Sequence, residues 1–242
     1  MNASRIIRIP ILPFSMVNAY LVLGAKGCIL VDAGLPGSEP KIGRALARFG
    51  LTFRDIKLIV ITHAHVDHAG NGARLRELSG APIVGHVGDI QHFTREVPMT
   101  FCPTGWAGRL FLRAPLIYQP YTAFEPDILL SGNDAVELAG YGIQGAVEPT
   151  LGHTAGSISV KLRSGEALVG DLIASGILIG GVIRTGHPIR PPFEDDPHAV
   201  AERLRCLLDS GTEMFHMGHG GPLKAKAVRR HIQALQSLPA GT

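Results

Sequence analysis

The chain has 242 residues, 45% of them apolar, with 30 glycines and a formal net charge of +3. That length supports a sizeable α/β core without disulfide staples. The charge is mild and no basic run exceeds Arg229-Arg230, which excludes nucleic acid as the main partner, because phosphate recognition needs a basic stripe. Three widely spaced cysteines, Cys28, Cys102 and Cys206, form neither a disulfide framework nor a Cys-x-x-Cys site. They read as buried or half-buried free thiols in a reducing compartment.

The opening stretch, "MNASRIIRIPILPFSMVNAYLVLG", is apolar but carries two arginines and two prolines and has no small-residue cleavage site. It reads as strands, not as an export signal. Residues 17–31 predict two strands joined at Gly24 to Gly27, and "DAG" at 32–34 ends the second. From Ser38 to Phe49, Pro40 sits in the first turn and Ile42, Leu46 and Phe49 recur at helical spacing until Gly50. "IKLIVIT" predicts a buried strand, "GARLRELSG" a helix closing at Gly80, and "APIVGH" another strand.

Residues 93–130 hold Trp106, several prolines and Phe101, Phe111, Tyr118, Tyr121 and Phe124 without a clean period. They read as an insertion of short helices and loop that serves as a lid. Its aromatics line a pocket, or else fill a local core or a homodimer contact. Strands are expected at about 135–139, 143–149, 157–162 and 167–170, then a helix in "DPHAVAERLRCLLDSG", a strand in "EMFHM" and a basic helix over 223–237. "ALVGDLIASGILIGGVI" is interrupted by Asp171 and by glycine, too short to cross a membrane. The order of elements predicts one α/β domain over residues 1–242, with sheets inside and helices outside, and the expected location is cytoplasmic.

The stretch "THAHVDHAGN" crowds His63, His65, Asp67 and His68 into six positions directly after a predicted strand. On extended chain, residues two apart point the same way, so His63 and His65 aim at one point. Asp67 and His68, at the turn into a helix, face a second point nearby. Imidazole suits zinc and carboxylate supplies charge. A single histidine is ordinarily a surface or core side chain. Here "TLGHTAGS" adds His153, "LVGD" adds Asp171 and "HMGHGG" adds His219, all at predicted strand ends, where α/β sites gather.

With these residues in order, the chain resembles the metallo-β-lactamase-fold hydrolase superfamily, from "DAG" at Asp32 to "GHGG" at 218–221. The resemblance implies an αββα sandwich of two mixed sheets with helices on both outer faces. It implies a first metal held by His63, His65 and His153, a second held by Asp67, His68 and His219, and Asp171 bridging them. Two such ions about 3.5–4 Å apart share and activate a water. The expected reaction is hydrolysis of a small-molecule ester, thioester or lactone by a hydroxide between the metals, with Asp67 orienting it or passing its proton onward. Zinc is expected, and manganese, iron or cobalt also suit the donors.

Asp32, Thr62 and Ser157 are candidates to fix the histidine tautomers, although Asp32 also reads as a cap of its own turn. Arg184, His187 and Arg190, in "GGVIRTGHPIRPPF", are candidates to bind a substrate carboxylate, against the reading of an ordinary solvated loop. His86, His92, His198, His216 and His231 read as structural or surface residues.

Departures from subfamilies narrow the expectation. The serine- and cysteine-containing sites of true zinc β-lactamases, which act on an amide, are not matched. Glutathione thioesterases share all seven ligands but add a helical domain, and this chain ends about 20 residues after "GHGG". N-acyl homoserine lactonases place a tyrosine where Ala174 stands, which weakens that assignment, and such a lactonase or a β-lactamase-type amide hydrolase stays the alternative reading. A mononuclear iron persulfide dioxygenase and a non-catalytic metal-binding module are the rival classes. The expected partner is a small molecule, with no membrane partner, and a homodimer is left open.

Overall fold

The computed structural model of the chain describes residues 4–176 and 183–239. Its first sheet takes β1 (Arg5–Pro10), β2 (Asn18–Gly24), β3 (Gly27–Val31), β4 (Ile56–Val60), β5 (Ile83–His86) and β6 (Ile128–Leu130) in that spatial order. β1, β2 and β3 pair antiparallel, and β3 through β6 run parallel. Parallel neighbours need crossovers. Between β3 and β4 runs α1 (Glu39–Ala47), and between β4 and β5 run α2 (Val66–Ala69) and α3 (Gly72–Ser79). α4 (Ile90–Phe93) and α5 (Gly105–Phe111) lie between β5 and β6.

The second sheet contains β7 (Val136–Glu137), β8 (Gly145–Pro149), β9 (Ile158–Leu162) and β10 (Glu166–Leu168), joined by β13 (Met214–His216) and β14 (Leu223–Lys224). A small hairpin, β11 (Ala174–Ser175) with β12 (Pro188–Ile189), stands apart. α6 (Pro197–Asp209) precedes β13, and α7 (Ala225–Gln236) follows β14.

Period-two alternation sorts the side chains into layers. Tyr20, Val22, Ile29, Val31, Leu58 and Val60 point inward and meet Val147, Ile158, Val160 and Leu168 of the other sheet. The intervening Leu21, Leu30 and Ile59 point outward under Ile42, Leu46 and Leu75 of α1 and α3. On the far side, Ala167 and Phe215 pack under Val200, Leu204, Val228 and Ile232 of α6 and α7. The result is a four-layer αββα sandwich of two mixed sheets. Each fully buried Leu or Ile contributes about 1.5–3 kcal/mol, so the three apolar layers hold the strand ends in place.

The region read as the 93–130 insertion is shorter at both ends. Phe93 ends α4 and is buried in the core, and residues 128–130 are a sheet strand paired with β5. Three residues are too few to show a period, which hid β6. The last helix begins at Ala225, because Leu223 and Lys224 pair with β13 first. Cys28 is buried, whereas Cys102 and Cys206 are exposed, contrary to the burial expected of them. Among the described residues no helix is long and apolar enough to cross a membrane. The apolar stretch at 167–183 breaks into β10, the Asp171 turn and β11, and its 177–182 part lies outside the described residues.

Candidate metal centre

Loops at one edge of the sandwich bring seven donors together. β4 leads into His63, His65, Asp67 and His68; the β8–β9 connection carries His153; Asp171 follows β10; His219 follows β13. His63, His65, His153 and Asp171 offer ligand atoms that all lie within 4.8 Å of one another, and Asp67, His68 and His219 do the same.

In the first group His63 Nε2 lies 3.0 Å from His65 Nδ1, and His153 Nε2 lies 3.2 Å from both. A neutral ring nitrogen is either donor or acceptor. Three in mutual contact must therefore place at least one pair like to like. A cation at their common point removes that conflict, so the residues fit a metal. In the second group Asp67 Oδ2 lies 3.6 Å from His68 Nε2 and 3.4 Å from His219 Nε2. Asp171 reaches both groups: Oδ1 is 3.5 Å from His68 Nε2, and Oδ2 is 2.9 Å from His219 Nε2 and 3.8 Å from His153 Nε2. His68 Nε2 and Asp171 Oδ1 are buried without a hydrogen-bond partner, facing each other. Gly218 makes this approach feasible, since a Cβ there would fall 2.3 Å from Asp171 Oδ1.

Burial, with the neighbouring imidazoles, pushes His63 and His65 well below the usual histidine range and His153 down to about 4. These rings are neutral and offer lone pairs. For His68 and His219 burial also opposes charge, but the carboxylates outweigh it. Asp171, Asp67 and Asp32 hold His68 up to about 10, and Asp171 and Asp67 hold His219 up to about 9. Against the pull of burial, His219 and His68 keep the Asp171 carboxyl well below the usual carboxylate range. The carboxylates thus favour positive charge at His68 and His219, whether a proton or a bound cation in its place.

A shell of hydrogen bonds orients the rings. His68 Nδ1 donates to Asp32 Oδ2 at 2.9 Å. Asp32 Oδ1 also accepts from Thr62 N at 2.8 Å and Thr62 Oγ1 at 2.9 Å. With that hydroxyl donating, His63 Nδ1 donates to Thr62 Oγ1 at 3.1 Å, which leaves Nε2 free for a ligand role. Asp32 holds this place with φ of 63°, a left-handed backbone that costs a non-glycine residue energy and recurs at functional sites. His219 Nδ1 donates to the Met16 carbonyl.

Ser157, expected beside an imidazole, instead accepts from Thr154 N and pairs with its hydroxyl. It shapes the His153 loop. Sequence reasoning missed Asp89, which is fully buried. Its Oδ2 accepts from Ala64 N at 2.9 Å and Thr154 Oγ1 at 3.0 Å, tying the His63/His65 loop to the His153 loop. Burial pushes its carboxyl up, and those hydrogen bonds oppose the shift. A lone aspartate three residues past His86 at a predicted strand end was the available signal. The Met16 contact is through backbone and left no signal.

Over the donors lies a cavity of about 100 Å³. His65, Asp67, His153, Asp171 and His219 form its floor. Asp67 is the donor with an appreciably exposed side chain, at 23%. Phe101 and Phe193 stand against His65, with ring centroids 5.1 and 6.2 Å away. Arg184, His187 and Arg190 are not among the lining residues. Arg184 and His187 are exposed, and Arg190 Nε donates to the buried Glu194 at 2.7 Å. The expected anion grip is therefore not assembled: Arg184 and His187 face solvent, and Arg190 is engaged in an internal pair with Glu194.

The fold and the two donor groups define a candidate metal site on an αββα scaffold, and comparison with known proteins identifies that scaffold. The family model described as the metallo-beta-lactamase superfamily matches residues 12–219, and the chain belongs to that superfamily. It is 28% identical over 237 residues to YobT of Bacillus subtilis, covering 93% of this chain and 91% of that one. It is 28% identical over 218 residues to the probable metallo-hydrolase YflN of the same organism, covering 86% and 80%. A metallo-beta-lactamase family protein of Thermus thermophilus superposes with a TM-score of 0.69 at 27% identity, over 98% of this chain and 79% of that one.

Proposed function

We propose that this metal-dependent hydrolase cleaves a small-molecule ester, thioester or lactone at a pair of divalent ions, zinc being favoured by the imidazole-rich donors. The observation that carries the reading is Asp171, whose carboxylate reaches ring nitrogens of both donor groups. Bound there, divalent ions supply Lewis acidity and lower the pKa of a water toward ~7.

The chain's own residues do the rest. Asp171 fixes the spacing of the two groups. Asp32 and Thr62 keep His68 and His63 in the tautomers that present Nε2. Asp67 is half-buried and lines the cavity, so a proton released from the attacking water is taken at its carboxylate and returned to the leaving group. Alkoxide and thiolate leaving groups need less proton assistance than an amine. With Asp67 as the partly exposed proton carrier on the floor, oxygen and sulfur esters suit the site better than amides.

The test is metal content per chain together with a panel of thioester, lactone, aryl-ester and β-lactam substrates. Two zinc ions with hydrolysis of ester-type substrates is the expected result. One iron per chain, oxygen uptake with a persulfide and no hydrolysis would replace the reading with that of a dioxygenase.

A further inference from the structure

The walls of the cavity differ in kind from its floor. Among the described residues, every polar one that lines it is one of the metal donors. The walls are apolar: Leu12 and Met16 from the β1–β2 connection, Phe101, Phe111 and Leu116 from the segment before β6, and Phe193. Among the described residues no lysine, arginine, asparagine, glutamine, serine or threonine lines it.

These walls are fixed from behind. Thr104 N donates to the Pro192 carbonyl at 2.8 Å, and Glu194 N to the Cys102 carbonyl at 2.9 Å. Phe101 packs on Phe193 with centroids 4.6 Å apart and takes the edge of Tyr118 at 5.7 Å. At about 100 Å³ the space is also narrow, below the several hundred Å³ usual for drug-sized ligands.

We propose that the site selects substrates whose acyl portion is a neutral, slender hydrocarbon chain of short to medium length, with Phe101, Phe111 and Leu116 setting the length accepted. The inference rests on the hydrolase reading above and adds the chemistry of the non-reacting part. Away from the metal donors, an anionic acyl terminus would meet no side-chain hydrogen-bond donor or cation among the described wall residues, and an unpaired buried charge is far costlier than a buried methylene is favourable. Each added methylene is worth a factor of about four in the apolar space, until the chain meets the walls.

The experiment uses zinc-loaded protein and p-nitrophenyl esters of straight acyl chains, set against esters of matched length ending in a carboxylate. In parallel, the affinity of a series of alkyl hydroxamic acids is measured by calorimetry, which requires no turnover. The expected result is a kcat/KM that climbs about fourfold per methylene to an optimum and then falls. The terminal carboxylate should cost roughly a hundredfold or more. Phe111→Ala should move the optimum to longer chains. Leu116→Ala should do the same, and because Leu116 is 44% exposed its truncation tests the inference even if Phe111→Ala fails to fold.

Hydrolysis that is flat with chain length, or that favours the carboxylated esters, would overturn the inference while leaving the hydrolase reading intact. Hydroxamate affinity rising with length in a protein that hydrolyses no ester would do the opposite. Absence of both would defeat both.

Discussion

In the donor cluster that carries the cavity floor, His63, His68 and His219 each donate a ring N–H to a fixed oxygen, of Thr62, Asp32 and Met16 respectively. On the walls, Phe101, Phe111 and Leu116 make apolar contacts, and the outer side of the same segment leaves Trp106 79% exposed. Directional bonds define positions to within tenths of an ångström, whereas apolar contact tolerates exchange of shape at similar volume. The floor is therefore suited to hold one chemistry, and the walls to be retuned for different substrates without disturbing it.

The comparison breaks most completely at the bridge. Asp171→Ala removes the carboxylate that reaches both donor groups, and His68→Ala removes a donor of the second. Loss of metal-based stabilisation of several kcal/mol corresponds to roughly a thousandfold or more in kcat/KM. Metal analysis should show less than two ions per chain. Full activity in a variant holding a single ion would rule out a two-metal mechanism.

Next comes Asp32→Asn. Asparagine tolerates the left-handed backbone, so this variant isolates the carboxylate's charge from its φ of 63°. Affinity for the metal at His68 should fall about 10–100-fold, read by chelator competition. Asp89→Ala acts one step further out, freeing the Ala64 and Thr154 donors. Leaving two buried donors unmade costs about 1–3 kcal/mol each in stability, and the affinity at His63, His65 and His153 should drop by roughly tenfold. If only stability changes, the Asp89 bonds brace the fold and not the ligands.

The least effect on metal binding is expected on α7, which carries His231. Burial, with Arg190 and His187 nearby, pushes His231 down to about 4 from 6.5. The folded state thus keeps this ring neutral while the unfolded chain takes a proton. Its stability contribution is full above pH ~6.5 and is lost as pH falls toward about 4, a span of about 3 kcal/mol. Urea titrations of the parent and His231→Leu should differ in slope with pH inside that window and run parallel above it.

How much was legible follows the same division. Four donors fall within six residues after a strand, and the remaining three sit in short glycine-flanked turns, so the floor could be read as metal chemistry before any coordinates. Its pairing into two groups came from family resemblance, because a linear sequence does not show which strand ends meet. The support at Asp32 and Thr62 was visible as polar residues at strand ends. Ser157 looked the same and turned out to serve its own loop, because one hydroxyl near a ligand can face either way. Apolar wall residues leave a fainter mark: Leu12 and Met16 read as strand, Leu116 lies in a segment without a period, and Phe101 and Phe111 of that segment read equally as pocket lining or as local core. The missed β6 and the dispersed Arg184, His187 and Arg190 have the same origin. A side chain's partner across the fold decides its role, and that partner is distant in the chain.

Among the described residues, every strand of the first sheet precedes Ser131 and every strand of the second follows Ala135, with an exposed turn between them. A single backbone cut in that turn would yield two polypeptides, one carrying His63, His65, Asp67 and His68 and the other His153, Asp171 and His219. Neither half contains a complete donor group, yet each presents one face of the layer between the sheets. Metal ions that need ligands from both halves would favour the joined form by mass action. Reassembly of the two pieces should therefore tighten with zinc and loosen with a chelator, which makes the centre a fastener between halves as well as a place for chemistry.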